Sequence, residues 1–362
     1  MRILYLINYA GKGGTETYVR ALAEAYHKQR AECFFAYNEY GPLAAQMEDM
    51  GIECFKLTMH SAYDIAAAKK LADICRINRI DIIHTQFPRE NYIAVLSKLF
   101  YNKVKLFNTS HLIIHTGAVW RVTNKIFTRQ DEKIFSVCNA GKQALEENGV
   151  CSDKIEVIFN GIKLDNSVCV SEIRKELGID ESTFVISALT RYSSEKGLDF
   201  LVQTVDALRK ITERKFAVLI AGDGDMYDEI ANKIDSAGLR KYIFQLGFRK
   251  DTGNILCGSD LFVNLSSTEA LSFAILEALG YGLPVVATDV GGTGDIINSD
   301  TNCGILVKYN DANEASKAIE KLMSDIDFYD LCSQNAYKTV KEKFNINKML
   351  DMVFKRYEEA LR

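Results

Sequence analysis

The sequence predicts an α/β protein made of two doubly wound domains, and three observations carry that prediction. The chain has 362 residues, more than one ordinary hydrophobic core serves. Short β-rich runs alternate with helical patterns nearly throughout, which implies parallel sheets covered on both faces. The alternation also occurs twice, with a polar stretch at about residues 164–180 between the two series. The expected domains are therefore 1–165 and 166–345.

In the first half the expected strands are Arg2–Asn8, Cys33–Tyr37, Ile80–His84, Lys105–Ser110, Lys133–Val137 and Ile155–Phe159. The helical patterns between them include Thr15–His27, Asp64–Asn78, Tyr92–Phe100 and Ala140–Asn148. The second half repeats the plan with strands Phe184–Leu189, Phe216–Ala221, Tyr242–Leu246, Leu261–Asn264 and Pro284–Thr288. Its helices include Leu198–Lys210, Met226–Ser236, Phe273–Leu279 and Ala312–Ser324. The opening "MRILYLINYAGKGG" is too short to span a membrane and lacks a small-residue cleavage site, so it reads as a first buried strand. No later apolar run is long enough to cross a membrane either.

Apolar residues make up 48% and charged residues 25%, an ordinary globular mixture. The formal net charge of −4 gives no reason to expect nucleic acid as a partner. Nine cysteines, without C-x-x-C or a His/Cys cluster at metal spacing, read as reduced cytosolic thiols. The charge is uneven: residues 1–165 hold 21 basic and 18 acidic side chains, and the remainder 23 and 30. Residues 98–133 concentrate Lys98, Lys103, Lys105, Arg121, Lys125, Arg129 and Lys133 against Asp131 and Glu132.

Ligands of doubly wound sheets bind beyond the carboxyl ends of the strands, so the loops there are the candidate sites. "NYAGKGGTET" follows the first strand; Gly11, Gly13 and Gly14 precede Thr15, which can cap the next helix. Such a loop either receives a phosphate on its N–H groups or is a turn chosen for its dihedrals. The spacing is not G-x-G-x-x-G, which argues against a dinucleotide oxidoreductase. "LTRYSSEKG" offers Arg191 and Lys196, a fork and a point charge suited to a diphosphate, or else a solvated loop ion-paired to Glu195. "IAGDGDM" places Gly222 and Gly224 after a strand, with Asp223 and Asp225 as a weak D-x-D pattern that a tight turn explains as well. His111 and His84 each lie at a strand's carboxyl end, and His115 is read as loop.

"TEALSFAILEALGYGLPVVAT" poses the sharpest question, because Glu269 and Glu277 sit in an otherwise apolar segment. A carboxylate placed in a core without a partner costs several kcal/mol or more, roughly. Either both reach water, as a first-turn Glu and an exposed one, or they hold something polar. At 1.5 Å per helical residue they would lie about 12 Å apart, with the N–H groups of Leu271, Ser272 and Phe273 between them at a helix start.

Taken together, Gly13-Gly14-Thr15-Glu16, Arg191 with Lys196-Gly197, Gly222-x-Gly224 and Glu269-x7-Glu277 followed by "ALGYGLPVVATDVGG" resemble the retaining GT-B glycosyltransferases of the group 1, or GT4, type. The resemblance spans nearly the whole chain. It departs at Ala270-Leu271-Ser272-Phe273, where the family has Gly-Phe-Gly or Gly-Phe-Pro, and at Gly294-Asp295, where it has Pro-Glu. It implies two Rossmann-like domains facing a cleft, with the 346–362 helix crossing back to the first. It implies a nucleotide-diphosphate sugar donor, a UDP-sugar by expectation, and a glycan or lipid-linked acceptor. Arg191 and Lys196 would bind the diphosphate, Glu269 the sugar hydroxyls and Glu277 the ribose. The amides near Leu271, Ser272 and Phe273 would support phosphate and sugar. Gly13, Gly14 and Gly222 would bring backbone close to the ligand, and His111 matches the cleft histidine. Asn160-Gly161 matches the "NG" before the linker.

The expected reaction is sugar transfer with retention, by a front-face route without an essential metal or cofactor. Cell-surface polysaccharide or glycoconjugate synthesis is the expected setting. A sugar-nucleotide 2-epimerase on the same architecture is the alternative, and a non-catalytic sugar-nucleotide binder a further one. The basic stretch, with Trp120 and Phe127 among its charges, either docks on an anionic membrane or is a solvated face. The expected location is cytoplasmic, at the inner face of the membrane.

Overall fold

The computed structural model describes residues 1–114, 116–164 and 170–362. His115 and the expected domain junction at 165/166 lie outside the described residues. The chain divides into two compact units, Met1–Asn160 with Ile346–Arg362, and Gly161–Asn345.

The first unit is built on seven strands: β1 (Arg2–Tyr9), β2 (Glu32–Glu39), β3 (Glu53–Lys56), β4 (Ile82–Thr85), β5 (Lys105–Ser110), β6 (Asp131–Ser136) and β7 (Ile155–Val157). Their order is β3-β2-β1-β4-β5-β6-β7, every pairing parallel. The second unit has six: β8 (Phe184–Leu189), β9 (Phe216–Ala221), β10 (Ile243–Gly247), β11 (Leu261–Asn264), β12 (Val285–Thr288) and β13 (Gly304–Val307). They run β10-β9-β8-β11-β12-β13, again all parallel. Each sheet reverses its winding beside its first strand, at β1/β4 and at β8/β11. A crevice opens there beyond the carboxyl ends of the strands.

The central strands form because apolar runs can be buried on both faces. All six residues of β9, "FAVLIA", are buried, as are the middle five of β1. Each Val, Leu or Ile so buried contributes roughly 1.5–3 kcal/mol. The edge strands β3 and β13, absent from the sequence expectation, are four residues long and only partly buried; β3, Glu-Cys-Phe-Lys, has no apolar run to mark it, whereas β13 has a short one, Ile305-Leu306-Val307. The helix expected at Tyr92–Phe100 is observed at Pro88–Ser97, started by Pro88 after an extended Phe87. Proline at a first helical position forfeits no hydrogen bond.

The terminal helix Ile346–Leu361 belongs to the first unit, burying Met349, Leu350, Val353, Phe354 and Tyr357. Tyr357 hydrogen-bonds Nδ1 of His84, and Arg356 grips Glu156 through two nitrogens at 2.6 and 2.7 Å. Seven described cysteines lie outside disulfides, but Cys257 is disulfide-bonded, which corrects the expectation of nine reduced thiols. Spacing along the chain does not reveal a pairing that only folding brings within reach.

Candidate functional site

In the second unit the site is assembled at the β8/β11 reversal. Lys196 closes a single 3-10 turn, Ser194–Lys196, and Gly197 follows with φ +64°. A Cβ on Gly197 would stand 2.0 Å from the Leu265 carbonyl oxygen, so glycine alone lets this loop lie against the one leaving β11. That approach brings Lys196 Nζ within 2.7 Å of Glu269 Oε1, which also accepts from Ser266 Oγ at 2.8 Å. The two side chains are only 22% and 11% exposed, well shielded from bulk screening. Glu269 Oε2 has no hydrogen-bond partner among the described residues, and the ammonium keeps protons to donate.

Arg191 projects from the same loop, exposed and without an ion-pair or hydrogen-bond partner among the described residues. The alternative of an ion pair to Glu195 is not what forms. Glu195 accepts from Ser193 Oγ at 2.7 Å, and this hydrogen bond, more than the nearby Lys196 and Arg191, lowers its pKa. Gly222 has φ +145°, and a Cβ there would meet the Thr190 carbonyl oxygen at 1.8 Å. Its visible duty is to let the β9 loop press against the Arg191 loop. Asp223-Gly224-Asp225 forms the turn between β9 and the helix Tyr227–Ser236, the Asp223 carbonyl accepting from Tyr192 N at 2.7 Å. Among the described residues no group of three or more His, Cys, Asp or Glu side chains is placed to hold a metal ion.

The two glutamates divide. Glu269 lies in the loop, and the helix begins only at Phe273, with Ser272 as its cap. Ser272 Oγ accepts from Ile275 N at 3.4 Å and from Asn264 Nδ2 at 3.1 Å. The estimate of about 12 Å assumed helix throughout; only the step from Phe273 to Glu277, about 6 Å of rise, is helical. The N–H groups of Phe273 and Ala274 have no acceptor within their own helix, and Leu271 beside them is buried. Glu277 is half-buried with no partner among the described residues, and burial raises its pKa.

In the first unit the helix after β1 is Gly14–Tyr26, with Gly13 as a cap that has no side chain to offer. This corrects the expectation that Thr15 caps it: the helix starts before Thr15, leaving first-turn N–H groups open. Gly13 is extended at φ 175° and Gly14 is not in the left-handed region, so backbone strain does not demand glycine at either. His111 follows β5 and is buried, its Nε2 2.9 Å from Gln86 Oε1 and its ring edge-on to Tyr18 at 5.0 Å. Gln86 Nε2 donates to the His84 carbonyl at 3.4 Å, which turns the amide oxygen toward His111. His111 Nε2 is therefore the protonated nitrogen and donates to Gln86. Burial lowers the His111 pKa to about 3, so the ring is neutral. His84 is structural: fully buried, it binds Thr109 Oγ1 at 2.7 Å and Tyr357 of the terminal helix.

Gln86, Ser266 and Asn264 were not anticipated. Their signal was position alone, each lying at or just past the end of a strand beside a winding reversal. The basic stretch 98–133 separates into two groups. Lys98 lies near buried Asp131, and Lys105 pairs with Glu132 at 3.0 Å. Arg121, Lys125 and Arg129 are exposed on and just after the helix Ala118–Phe127.

The fold places a charged cluster at the sheet reversal of the second unit, and comparison with known proteins gives the class. The "Glycosyltransferase Family 4" model matches residues 12–166, and "Glycosyl transferases group 1" matches 170–339. The chain belongs to the group 1 / family 4 glycosyltransferases of GT-B fold. It is 24% identical over 325 residues to N-acetyl-alpha-D-glucosaminyl L-malate synthase of Bacillus anthracis, covering 87% of this chain and 84% of that protein. It is 23% identical over 336 residues to an Escherichia coli UDP-Gal:alpha-D-GlcNAc-diphosphoundecaprenol alpha-1,3-galactosyltransferase, covering 87% and 86%. Anabaena HepE, solved in complex with UDP, shares the fold with a TM-score of 0.85 at 21% identity, covering 99% of this chain and 100% of that one. The epimerase alternative gains no support from these matches.

Proposed function

We propose that this glycosyltransferase moves a sugar from a nucleotide-diphosphate sugar, a UDP-sugar, to a glycan or lipid-linked acceptor with retention at the anomeric carbon. The observation that carries the reading is the Lys196–Glu269 contact at 2.7 Å, in a unit where the Arg191 guanidinium and the Glu277 carboxylate have no partner among the described residues. Four groups of these charges fit one ligand that has a diphosphate in its middle and hydroxyls at both ends. Arg191 and Lys196 take the diphosphate and stabilise its charge as it leaves. Glu269 accepts from sugar hydroxyls, with Lys196 holding the carboxylate in place. Glu277 accepts from the ribose diol, whose hydroxyls offset the desolvation of that carboxylate. The open amides at Phe273 and Ala274 favour the same anion.

Retention follows a front-face path in this reading. The leaving phosphate takes the acceptor's proton, and neutral His111 contacts the sugar without serving as an acid. The UDP bound in HepE and the UDP-Gal in the Escherichia coli enzyme's name support the choice of base. That enzyme's diphosphoundecaprenol acceptor supports a lipid-linked acceptor and a role in cell-surface polysaccharide or glycoconjugate synthesis. The helix Ala118–Phe127, with Arg121 and Lys125 beside exposed Val119, Trp120, Val122 and Ile126, supports peripheral contact with an anionic membrane at its cytoplasmic face. No described helix is long and apolar enough to cross one.

The test is a thermal-shift screen of UDP-, GDP- and ADP-sugars, because a bound donor stabilises the fold by mass action. A UDP-sugar should raise the melting temperature of the native protein and not of Lys196→Ala. Stabilisation by no nucleotide sugar would sink the proposal.

A further inference from the structure

The first unit contains a cavity of about 340 Å³, within the range of small-molecule sites. Its walls are chiefly apolar: Leu112, Ile114, Trp120 and Ile134 lie among them. Polar groups on its lining include His111, Gln86 and Asn108. All three are already committed to protein partners: His111 faces Gln86, Gln86 Nε2 donates to the His84 carbonyl, and Asn108 Nδ2 donates to Thr85 Oγ1 at 2.8 Å. An apolar cavity of this size has little to hold water with, and the neutral His111 brings no charge to it.

The helix Ala118–Phe127 roofs part of the space through Trp120 and Asn124, yet none of its residues is buried. Ring contacts and hydrogen bonds fasten it: Trp120 and Phe127 lie 5.8 and 4.8 Å from the Tyr92 ring, and Tyr63 stacks on Trp120 at 6.4 Å. Asn124 Nδ2 donates to the Asn148 carbonyl at 2.9 Å, and Asn148 Oδ1 accepts from Thr116 N and Oγ1 at 2.9 and 2.7 Å. Tyr92 adds a bond from its hydroxyl to Asn124. A helix with no buried residue of its own, held by a few hydrogen bonds and ring contacts, can lift without breaking the unit's sheet.

We propose that this cavity is the binding site for the apolar portion of the acceptor: an alkyl, prenyl or acyl chain carrying a hydroxyl- or sugar-bearing head. The chain enters beneath the Ala118–Phe127 helix and lies against Trp120, Ile134 and Leu145. The head remains at the His111 and Gln86 end, beyond the carboxyl end of β5, where ligands of doubly wound sheets bind. This inference rests on the glycosyl-transfer reading and narrows its acceptor to a molecule with an apolar tail.

Trp120 is the single tryptophan of the chain and lies in the cavity wall, so it reports occupancy directly. Methyl, butyl, hexyl and octyl β-D-glucopyranosides, each kept below its micelle concentration, are titrated against Trp120 fluorescence in the full chain. Affinity should rise roughly fourfold per added methylene until the cavity is full. Ala144→Phe, which puts a ring into the cavity, and the milder Leu145→Phe should flatten that dependence. Their melting curves identify a variant that fails to fold, and the other then decides. Equal binding of methyl and octyl glucoside by the native protein, or full octyl binding by both folded variants, overturns the inference. The UDP-sugar thermal shift is measured on the same samples. Chain-length dependence lost while the shift persists refutes the cavity proposal alone; loss of the shift refutes the transfer reading instead.

Discussion

The two units share one plan, a parallel sheet that reverses beside its first strand, but their strand-end chemistry is opposite. The second unit gathers ionised groups that keep unused capacity: Arg191 exposed, Lys196 on Glu269, Glu277 without a partner among the described residues. The first unit buries its polar groups and satisfies most of them internally, with His84 and His111 neutral in a web of Thr109, Gln86 and Tyr357. Beside that web lies an apolar cavity. The difference teaches that a doubly wound sheet fixes only where a ligand sits. The loop residues decide whether that place suits a diphosphate or an uncharged, partly apolar molecule.

Lys196→Ala should break the contrast most. It removes the cation beside the leaving diphosphate, so transfer should fall roughly 100- to 1000-fold. Glu269 would also be left without its ionic partner. Assayed as nucleotide released from a UDP-sugar, near-normal turnover would show that the second unit's charges serve the fold alone.

Next in size is a pH effect confined to the first unit. Asp131 is buried, accepts from Asn91 Nδ2 at 2.9 Å, and burial raises its pKa to about 8; Glu90, also buried, is raised to about 7. Each folded carboxyl binds more protons than its unfolded counterpart between the ordinary carboxylate pKa and these values. Their contribution is therefore full in acid and is lost as pH rises through 7 to 8. His84 and His111, lowered to about 3, act oppositely, destabilising the fold progressively below the ordinary histidine pKa near 6.5. The two pairs offset one another between about pH 4.5 and 6.5. Asp131→Asn should consequently raise stability at pH 8 by a few kcal/mol, roughly, with much less change at pH 5. Denaturant melts at the two pH values check this; equal effects at both would place the proton elsewhere.

Glu277→Gln removes one charged acceptor from the proposed ribose position. Donor affinity should fall on the order of tenfold, read as a reduced UDP-sugar thermal shift, while the unliganded melt stays level or rises because a half-buried charge is gone. Tyr357→Phe is the smallest: His84 Nδ1 loses its partner, at a cost of about 1–3 kcal/mol, and the donor-induced shift should be unchanged. A lost shift would show that the terminal helix tunes donor binding.

Much of this was legible along the chain. β5, β8, β9 and β11 fall on their expected residues, β9 most plainly because a buried parallel strand reads as an unbroken apolar run. Lys196, Glu269 and Glu277 were legible from their order and spacing. The edge strands β3 and β13 were not, since edges need little burial. The helix Ala118–Phe127 was not expected as a helix, although its apolar residues recur with a helical period.

What the sequence determined by itself is the alternation that makes two parallel sheets, and the loops on which the charges would fall. Tertiary structure alone decided that Lys196 grips Glu269, 73 residues away, that Gln86 orients His111, and that Tyr357 reaches back to His84. The cavity under the Ala118–Phe127 helix also exists only in the folded chain. The physical reason is that periodicity and turn chemistry are local properties written in neighbouring residues. A hydrogen bond, an ion pair or an empty volume between distant segments is fixed only when their backbones are packed together.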